Sequence, residues 1–270
     1  MPTTYTHYRM GQTVRRKVSK EISGVIEKEL DLFQIGLHGP DILFYYHALK
    51  NNPVIRQGNA IHDKPGIVFF QKAIELIKKH PDNPAYRAYA YGVLCHFALD
   101  VTCHGYIEEQ IPKIGVGHLA IEAELDREFL IQDGKNPLSQ ILTKHIKPSI
   151  QVAQVICEFY EDLYAEDIQT SLKWMVFCLN RLVCPTSFQR NLILFLLKIV
   201  GAYNSKQGLI IREEKIAACA DTIAELVKLY EKAEPLAISL VNSFDRFVEG
   251  KEPMPDIFQY DFGGQLVHTN

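Results

Sequence analysis

His96-Phe-Ala-Leu-Asp100-Val-Thr-Cys-His104 is the stretch from which the rest of this sequence is best understood. After a short interval it is followed by His118-Leu-Ala-Ile-Glu122. Side chains four residues apart lie on one face of an α-helix, about 40° apart around its axis. His96, Asp100 and His104 therefore form one column, and His118 and Glu122 form a second. Imidazole nitrogens and carboxylate oxygens are zinc ligands, so the two columns predict a metal centre between two helices.

A single His–Asp pair at this spacing is more often a hydrogen-bonded pair on the surface or in the core. Here two columns follow one another on otherwise apolar helices, and buried charges are costly unless they are paired or bind a metal. The segment from Gly105 to Gly117 contains Pro112 and is predicted to break the helix and turn the chain. That turn would bring the two columns to one site.

Composition limits the function classes. The chain has 270 residues, 47% of them hydrophobic, which is enough for the core of one large domain. Its net charge is −3, and it has no run of basic residues, so stable nucleic-acid binding is not expected. The six cysteines show no CxxC spacing and are expected to be reduced thiols.

Residues 1–30 lack the continuous apolar segment of a secretory signal. The longest strongly apolar run, Leu192 to Val200, is interrupted by Lys198 and is too short to span a bilayer. No amphipathic membrane anchor is evident. We therefore expect a cytoplasmic protein without a transmembrane segment, and the oligomeric state is left open.

The apolar residues recur at helical period through most of the chain, which predicts an all-α fold. We expect a single multi-helix domain over residues 1–250, with the metal site in 1–130, packing helices in 138–250 and an irregular tail over 251–270. Asn51 to Pro65 is predicted to be a loop. The predicted helices cover residues 8–30, 65–79, 84–104, 118–131, 138–146, 149–164, 168–182, 187–200, 212–231 and 233–248.

Other candidate site residues stand alone in the sequence. Asp41, in Gly39-Pro-Asp41, is either a ligand or a carboxylate favoured by the dipole at a helix start. His7 and His62 are each predicted to lie just ahead of a helix, and an isolated histidine in such a place is commonly exposed. Asp126 continues the second column, where it would orient a ligand histidine or form a surface salt bridge. His38 would orient a ligand, face the substrate or lie in a loop, and the loop is the favoured interpretation. His145 is isolated.

The ordered set Tyr-Thr-His7, Gly39-Pro-Asp41, His62, His96-x3-Asp100-x3-His104 and His118-x3-Glu122 resembles the zinc-dependent phospholipase C family over residues 5–126. That family shares its fold with single-strand-specific zinc nucleases, and the resemblance implies zinc ions clustered among helices. It implies a first zinc on Asp41, His62, His96 and Asp100. It implies a second zinc on His104, His118 and Glu122. Asp100 would bridge the first zinc to a third, for which His7 and, after removal of Met1, the Pro2 amine are candidate ligands.

Such a centre suits the hydrolysis of phosphate esters. A zinc-activated hydroxide would attack phosphorus in line, and Asp41 would orient or deprotonate the water. We therefore predict a zinc-dependent phosphodiesterase of phospholipase C type, with phospholipid among its candidate substrates.

Two alternatives remain at this point. An HD-type metal phosphohydrolase is also all-α, and His62-Asp63 supplies the adjacent His-Asp pair that such enzymes place on one metal. The other ligands here fall instead into two columns, which argues against it. The second alternative is a non-catalytic helical binding domain that metal only stabilises.

Overall fold

The computed structural model describes residues 4–267, and over that range it contains α-helices and short 3-10 helices but no β-strand. The all-α prediction is confirmed. The first half contains a 3-10 helix, Gly39–Tyr45, and α1 (Thr4–Lys17), α2 (Lys20–Lys28), α3 (Leu30–Gly36), α4 (Pro53–His62), α5 (Gly66–Lys79), α6 (Pro84–Ile114) and α7 (His118–Gln132). The second half contains α8 (Ile150–Cys157), α9 (Ala165–Leu182), α10 (Ser187–Ile199), α11 (Tyr203–Lys206) and α12 (Ala220–Val248).

The long helix α6 lies at the centre of the fold. It carries apolar residues on all sides, and nearly every side chain from Ala85 to Asp100 is buried, as expected of a core helix. α3 and α12 both pack along it. A Cβ at Gly92 would lie 2.3 Å from the carbonyl oxygen of Phe33, so the backbones of α3 and α6 touch at this glycine.

The turn predicted over Gly105 to Gly117 begins later in the chain than predicted. α6 continues to Ile114, with Pro112 inside its last turn. A proline there removes only its own hydrogen bond to the carbonyl four residues earlier, so the helix tolerates it near its end. The helix ends at Gly115, which has a φ of 66°. The reversal is therefore a tight one, between Gly115 and His118.

The predicted loop over Asn51 to Pro65 is also wrong, because α4 occupies most of it. The Asn52 side chain accepts a hydrogen bond from the backbone N–H of Ile55, and Pro53 takes the first helical position. Asparagine and proline are favoured at these two positions of a helix start. His62 consequently lies at the end of α4 rather than ahead of the next helix.

Other helix limits differ from the prediction as well. Residues 8–30 form parts of α1, α2 and α3, since Ser19 begins a new helix by accepting a hydrogen bond from Ile22. Residues 138–146 form turns, and the helix predicted over 149–164 ends at Cys157. The two helices predicted between 212 and 248 are the single α12, with Pro235 inside it.

Residues 251–267 are irregular apart from one 3-10 turn, Asp256–Gln259, and one bridge between Tyr260 and Leu266. Nevertheless Phe258 and Phe262 are fully buried. Their rings lie 5.5 Å and 5.2 Å from that of Phe97 on α6. The predicted domain limit at residue 250 therefore leaves out two side chains of the core.

Candidate metal centre

Eight side chains predicted as ligands come together in three groups that are able to hold a metal ion. Within each group the ligand atoms lie within 4.8 Å of one another. The first group is Asp41, His62 and His96, the second is His104, His118 and Glu122, and the third is His7, His96 and Asp100. Residues from five separate helices thus converge, although they span more than a hundred positions of the sequence.

Asp100 lies at the centre of this arrangement. Its Oδ2 is 3.0 Å from Nε2 of His96, and its Oδ1 is 3.3 Å from Nε2 of His7 and 3.5 Å from Nε2 of His104. Burial raises the pKa of this carboxyl group, but His104 and His96 outweigh burial and hold the pKa well below its usual range. An ionised carboxylate that faces several imidazoles has the position required of a bridging ligand.

The first group joins the 3-10 helix to α4 and α6. Oδ1 of Asp41 is 2.9 Å from Nε2 of His62. Pro40 occupies the start of the 3-10 helix, and Gly39 before it has a φ of 48°. A Cβ on Gly39 would lie 2.4 Å from Cδ2 of His96, so only glycine lets this ring pack against the turn.

The second group lies where α6 and α7 meet. Oε1 of Glu122 is 3.4 Å from Nε2 of His104 and 3.2 Å from Nε2 of His118. Burial raises the pKa of Glu122, but the two histidines are among the groups that outweigh burial and hold this pKa at about 2. The tight reversal after Gly115 places the two columns side by side.

Three of the histidines have their Nδ1 atoms fixed by an acceptor. Nδ1 of His62 lies 2.8 Å from the carbonyl oxygen of Gly58, and Nδ1 of His104 lies 2.9 Å from that of Phe262. Nδ1 of His118 lies 2.6 Å from Oε1 of Glu108. A carbonyl or carboxylate oxygen only accepts, so each Nδ1 must carry the proton and donate it. In the neutral ring Nε2 then holds a lone pair, and these Nε2 atoms face Asp41, Asp100 and Glu122.

His96 provides a second indication that this site suits a metal cation. Neither of its ring nitrogens has a hydrogen-bond partner among residues 4–267, although Nε2 lies 3.0 Å from Oδ2 of Asp100. The ring is fully buried, and a buried polar group without a hydrogen bond is costly. A divalent cation satisfies a lone pair and a carboxylate at once, so these donors fit zinc.

The sequence does not predict the oxygen atoms that accept hydrogen bonds from Nδ1 of these three histidines. Glu108 follows His104 by four residues, so a helix that continued past Gly105 would place the two side by side, but the predicted helix ends at His104. The carbonyls of Gly58 and Phe262 give no signal in the sequence, because any residue supplies a carbonyl.

Asp126 neither orients a ligand ring nor forms a surface salt bridge. It is buried and accepts hydrogen bonds from the backbone N–H of Tyr5 at 3.0 Å and of Thr6 at 2.8 Å, and from the Thr6 hydroxyl at 2.7 Å. These N–H groups belong to the first turn of α1, whose donors have no intrahelical acceptor. Asp126 therefore fixes the helix start that carries His7.

We expect Asp126→Asn to destabilise the protein by about 1–3 kcal/mol, because an amide accepts with only one of its two polar atoms. Urea unfolding gives the free energy. Asp133→Asn is the matched control, since Asp133 also holds α1 but is partly exposed and accepts from Tyr5 and Arg9. Equal losses in the two variants would contradict the role given to Asp126.

His38 and His145, interpreted as a loop residue and an isolated one, form a buried pair instead. Their Nε2 atoms are 2.7 Å apart, so one ring donates a hydrogen bond to the other, and the accepting ring is neutral. The His145 ring also stacks on Tyr8 at 4.4 Å. Burial lowers the pKa of His145 to about 4, and burial also holds the pKa of His38 well below its usual range.

This pair predicts a loss of stability in acid. As the pH falls from 6.5 towards about 4, the unfolded state takes up a proton on His145 and the folded state does not. Folding is then weakened by about 1.4 kcal/mol per pH unit for each such histidine. In His145→Gln the side chain still accepts a hydrogen bond but does not titrate. Its free energy of unfolding should therefore fall less steeply with decreasing pH than that of the wild type. An unchanged slope would contradict the pairing.

A cavity of about 720 Å³ opens over the second group. His62, His104 and His118 line it, together with Phe44 and two cations, Lys50 and Lys206. Asp63 also lines this cavity, but it belongs to none of the three ligand groups that the described residues form. The adjacent His62-Asp63 pair therefore does not act on one metal, and the HD interpretation is not supported.

A family model described as zinc-dependent phospholipase C matches residues 6–171, which is more than half of the chain and contains all eight predicted ligands. The chain belongs to the zinc-dependent phospholipase C family. No curated protein and no solved structure matches it. Membership of the phospholipase C family and the three ligand groups together support a zinc hydrolase. Pro2, a candidate ligand of the third zinc, lies outside the described residues.

Proposed function

We propose that this protein is a zinc-dependent hydrolase of phosphate esters, of phospholipase C type, and that phospholipids are among its substrates. The observation that carries the proposal is the set of Nε2 atoms turned towards three buried carboxylates by acceptors on Nδ1. Family membership supports the same conclusion.

We assign one zinc to Asp41, His62, His96 and Asp100, and a second to His104, His118 and Glu122. Asp100 and His7 would hold a third. When bound, zinc supplies a Lewis acid that lowers the pKa of water and neutralises charge on a phosphoryl group. The protein contributes ionised carboxylates and neutral imidazoles in fixed orientations, so little reorganisation is needed during the reaction.

Asp41 is the residue to which we assign orientation of the attacking water. Burial raises its pKa, but His62 is among the groups that outweigh burial and hold the pKa below its usual range. The carboxylate is therefore ionised and would orient the water by accepting a hydrogen bond from it. Lys50 and Lys206 at the cavity provide positive charge towards a phosphate group, and Phe44 provides an apolar wall beside it.

Hydrolysis of bis(4-nitrophenyl) phosphate and of phosphatidylcholine, with and without a chelator, tests this function. We expect Asp41→Asn to lower kcat/KM by roughly a hundredfold or more, because the variant would lose a zinc ligand and the carboxylate that orients the water. Asp63→Asn is the matched control, because it removes a neighbouring carboxylate of the same cavity that lies outside the ligand groups; its activity should be close to that of the wild type. Equal loss in both variants would contradict the assignment.

The second candidate function is a non-catalytic helical domain that zinc holds together. The observation in its favour is that the ligands join α1, α4, α6 and α7, so a bound ion would also stabilise the fold. Zinc content together with turnover separates the two functions. Bound zinc with no hydrolysis of either substrate would support the structural role.

A further inference from the structure

Helix α10 exposes an apolar stripe. Phe188 is 75% exposed, Phe195 59% and Ile199 64%, and Leu192 and Leu196 between them are also exposed. These positions recur at intervals of three and four residues and so share one face of the helix. No side chain of α10 is fully buried. A contiguous exposed apolar patch of this kind marks an interaction surface.

The helix does not depend on burial of this stripe. Thr186 and Gln189 form a capping box at its start, with the Gln189 N–H donating to the Thr186 hydroxyl at 3.3 Å. Its other face, which carries Ile193, Leu194 and Leu197, is half-buried. The stripe is thus turned away from the core on a helix that is already held in place.

The segment that contains α10 is cationic. Between Asp167 and Glu213 the sequence contains no acidic residue, although the whole chain has a net charge of −3. Arg190 is paired with Glu213 at 3.1 Å, and five further cations lie in the interval, namely Lys173, Arg181, Lys198, Lys206 and Arg212. A helix with apolar residues on one face and basic residues around it is typical of binding to an anionic membrane surface.

A groove beneath α10 joins this surface to the metal centre. A cavity of about 780 Å³ lies between α9 and α10, and Leu192 and Leu196 of the stripe line it. Phe44, Ala48 and Lys206 line both this groove and the cavity over the zinc ligands. A partner seated on the stripe would therefore lie next to the opening of the metal centre.

We propose that α10 docks on an anionic lipid bilayer, with its apolar stripe in the interface and the surrounding cations on the headgroups. The helix has 13 residues, about 20 Å in length, so it lies on a bilayer of about 30 Å rather than crossing it. No helix within residues 4–267 is long and apolar enough to span a membrane. This proposal goes beyond the hydrolase function and does not depend on it, because α10 carries none of the zinc ligands.

Vesicle binding tests the proposal. Sedimentation with phosphatidylcholine–phosphatidylglycerol vesicles gives the affinity, and the fluorescence of Trp174, the single tryptophan of the chain and a residue of the groove, gives a second readout. We expect Phe188→Ser, Phe195→Ser and Ile199→Ser together to weaken binding by roughly tenfold or more. Lys198→Glu should weaken it as well, and salt should weaken the binding of the wild type.

The control for the stripe variant is Val68→Ser with Ile131→Ser, which removes apolar side chains that are 45% and 47% exposed on other helices. The control for Lys198→Glu is Lys72→Glu, at an exposed lysine of α5. These should bind as the wild type does. Asp41→Asn should also bind normally, so that binding and hydrolysis are scored separately. The proposal is overturned if the wild type does not bind, if the triple variant binds equally well, or if the stripe proves to hold two copies of the chain together without vesicle binding.

Discussion

Replacing Asp100 with asparagine is expected to remove at least one zinc from the purified protein and to lower kcat/KM by roughly a thousandfold or more. The carboxylate faces His7, His96 and His104 at 3.0 to 3.5 Å. An amide lacks the negative charge and offers one oxygen in place of two, so it cannot bridge two cations. Elemental analysis and hydrolysis of bis(4-nitrophenyl) phosphate measure the two effects.

Asp82→Asn is a suitable control, because Asp82 is exposed at the start of α6 and lies outside the three ligand groups. It should retain full zinc content and activity. A fully active Asp100→Asn protein with unchanged zinc would exclude the assigned bridging role.

The second large effect is expected from Gly39→Ala. The φ of 48° costs a non-glycine residue about 1–2 kcal/mol, and the added methyl group would meet the His96 ring at 2.4 Å. The ring or the turn that carries Asp41 must then move. A displacement of about 1 Å at a reacting centre costs roughly a hundredfold in rate, and we expect a loss of that size in kcat/KM.

Gly134→Ala separates the effect of the positive φ from the effect of the contact with the His96 ring. Gly134 has a similar φ of 67°, but a Cβ there would meet no atom within 4 Å. Gly134→Ala should therefore lower the temperature of thermal unfolding, because of its positive φ, without a loss of activity. Equal activity losses in the two variants would show that the His96 contact is unimportant.

Most of the metal centre could be predicted because its ligands repeat at helical spacing. His96, Asp100 and His104 lie on one helix, and a period of four is visible in the sequence itself. Asp41 and His62 have no such pattern, and only the family resemblance assigned them to the first zinc. Their approach to His96 depends on Gly39 and on α4, and the sequence predicts a loop where α4 lies.

The parts that were not predicted depend on long-range contacts. Phe262 reaches His104 from 158 positions away through a backbone carbonyl, and the pairing of His38 with His145 joins two segments that show no shared pattern. The stripe on α10 was missed for a related reason. Helical periodicity identifies an apolar face, but it does not tell whether that face packs inward or points to solvent.

An anomalous difference map of the crystallised protein at the zinc edge tests the central claim most directly. We predict peaks among Asp41, His62, His96 and Asp100 and among His104, His118 and Glu122, with a further peak beside His7 and Asp100. A well-ordered map of protein purified with zinc that shows no peak at any of these positions would contradict the account.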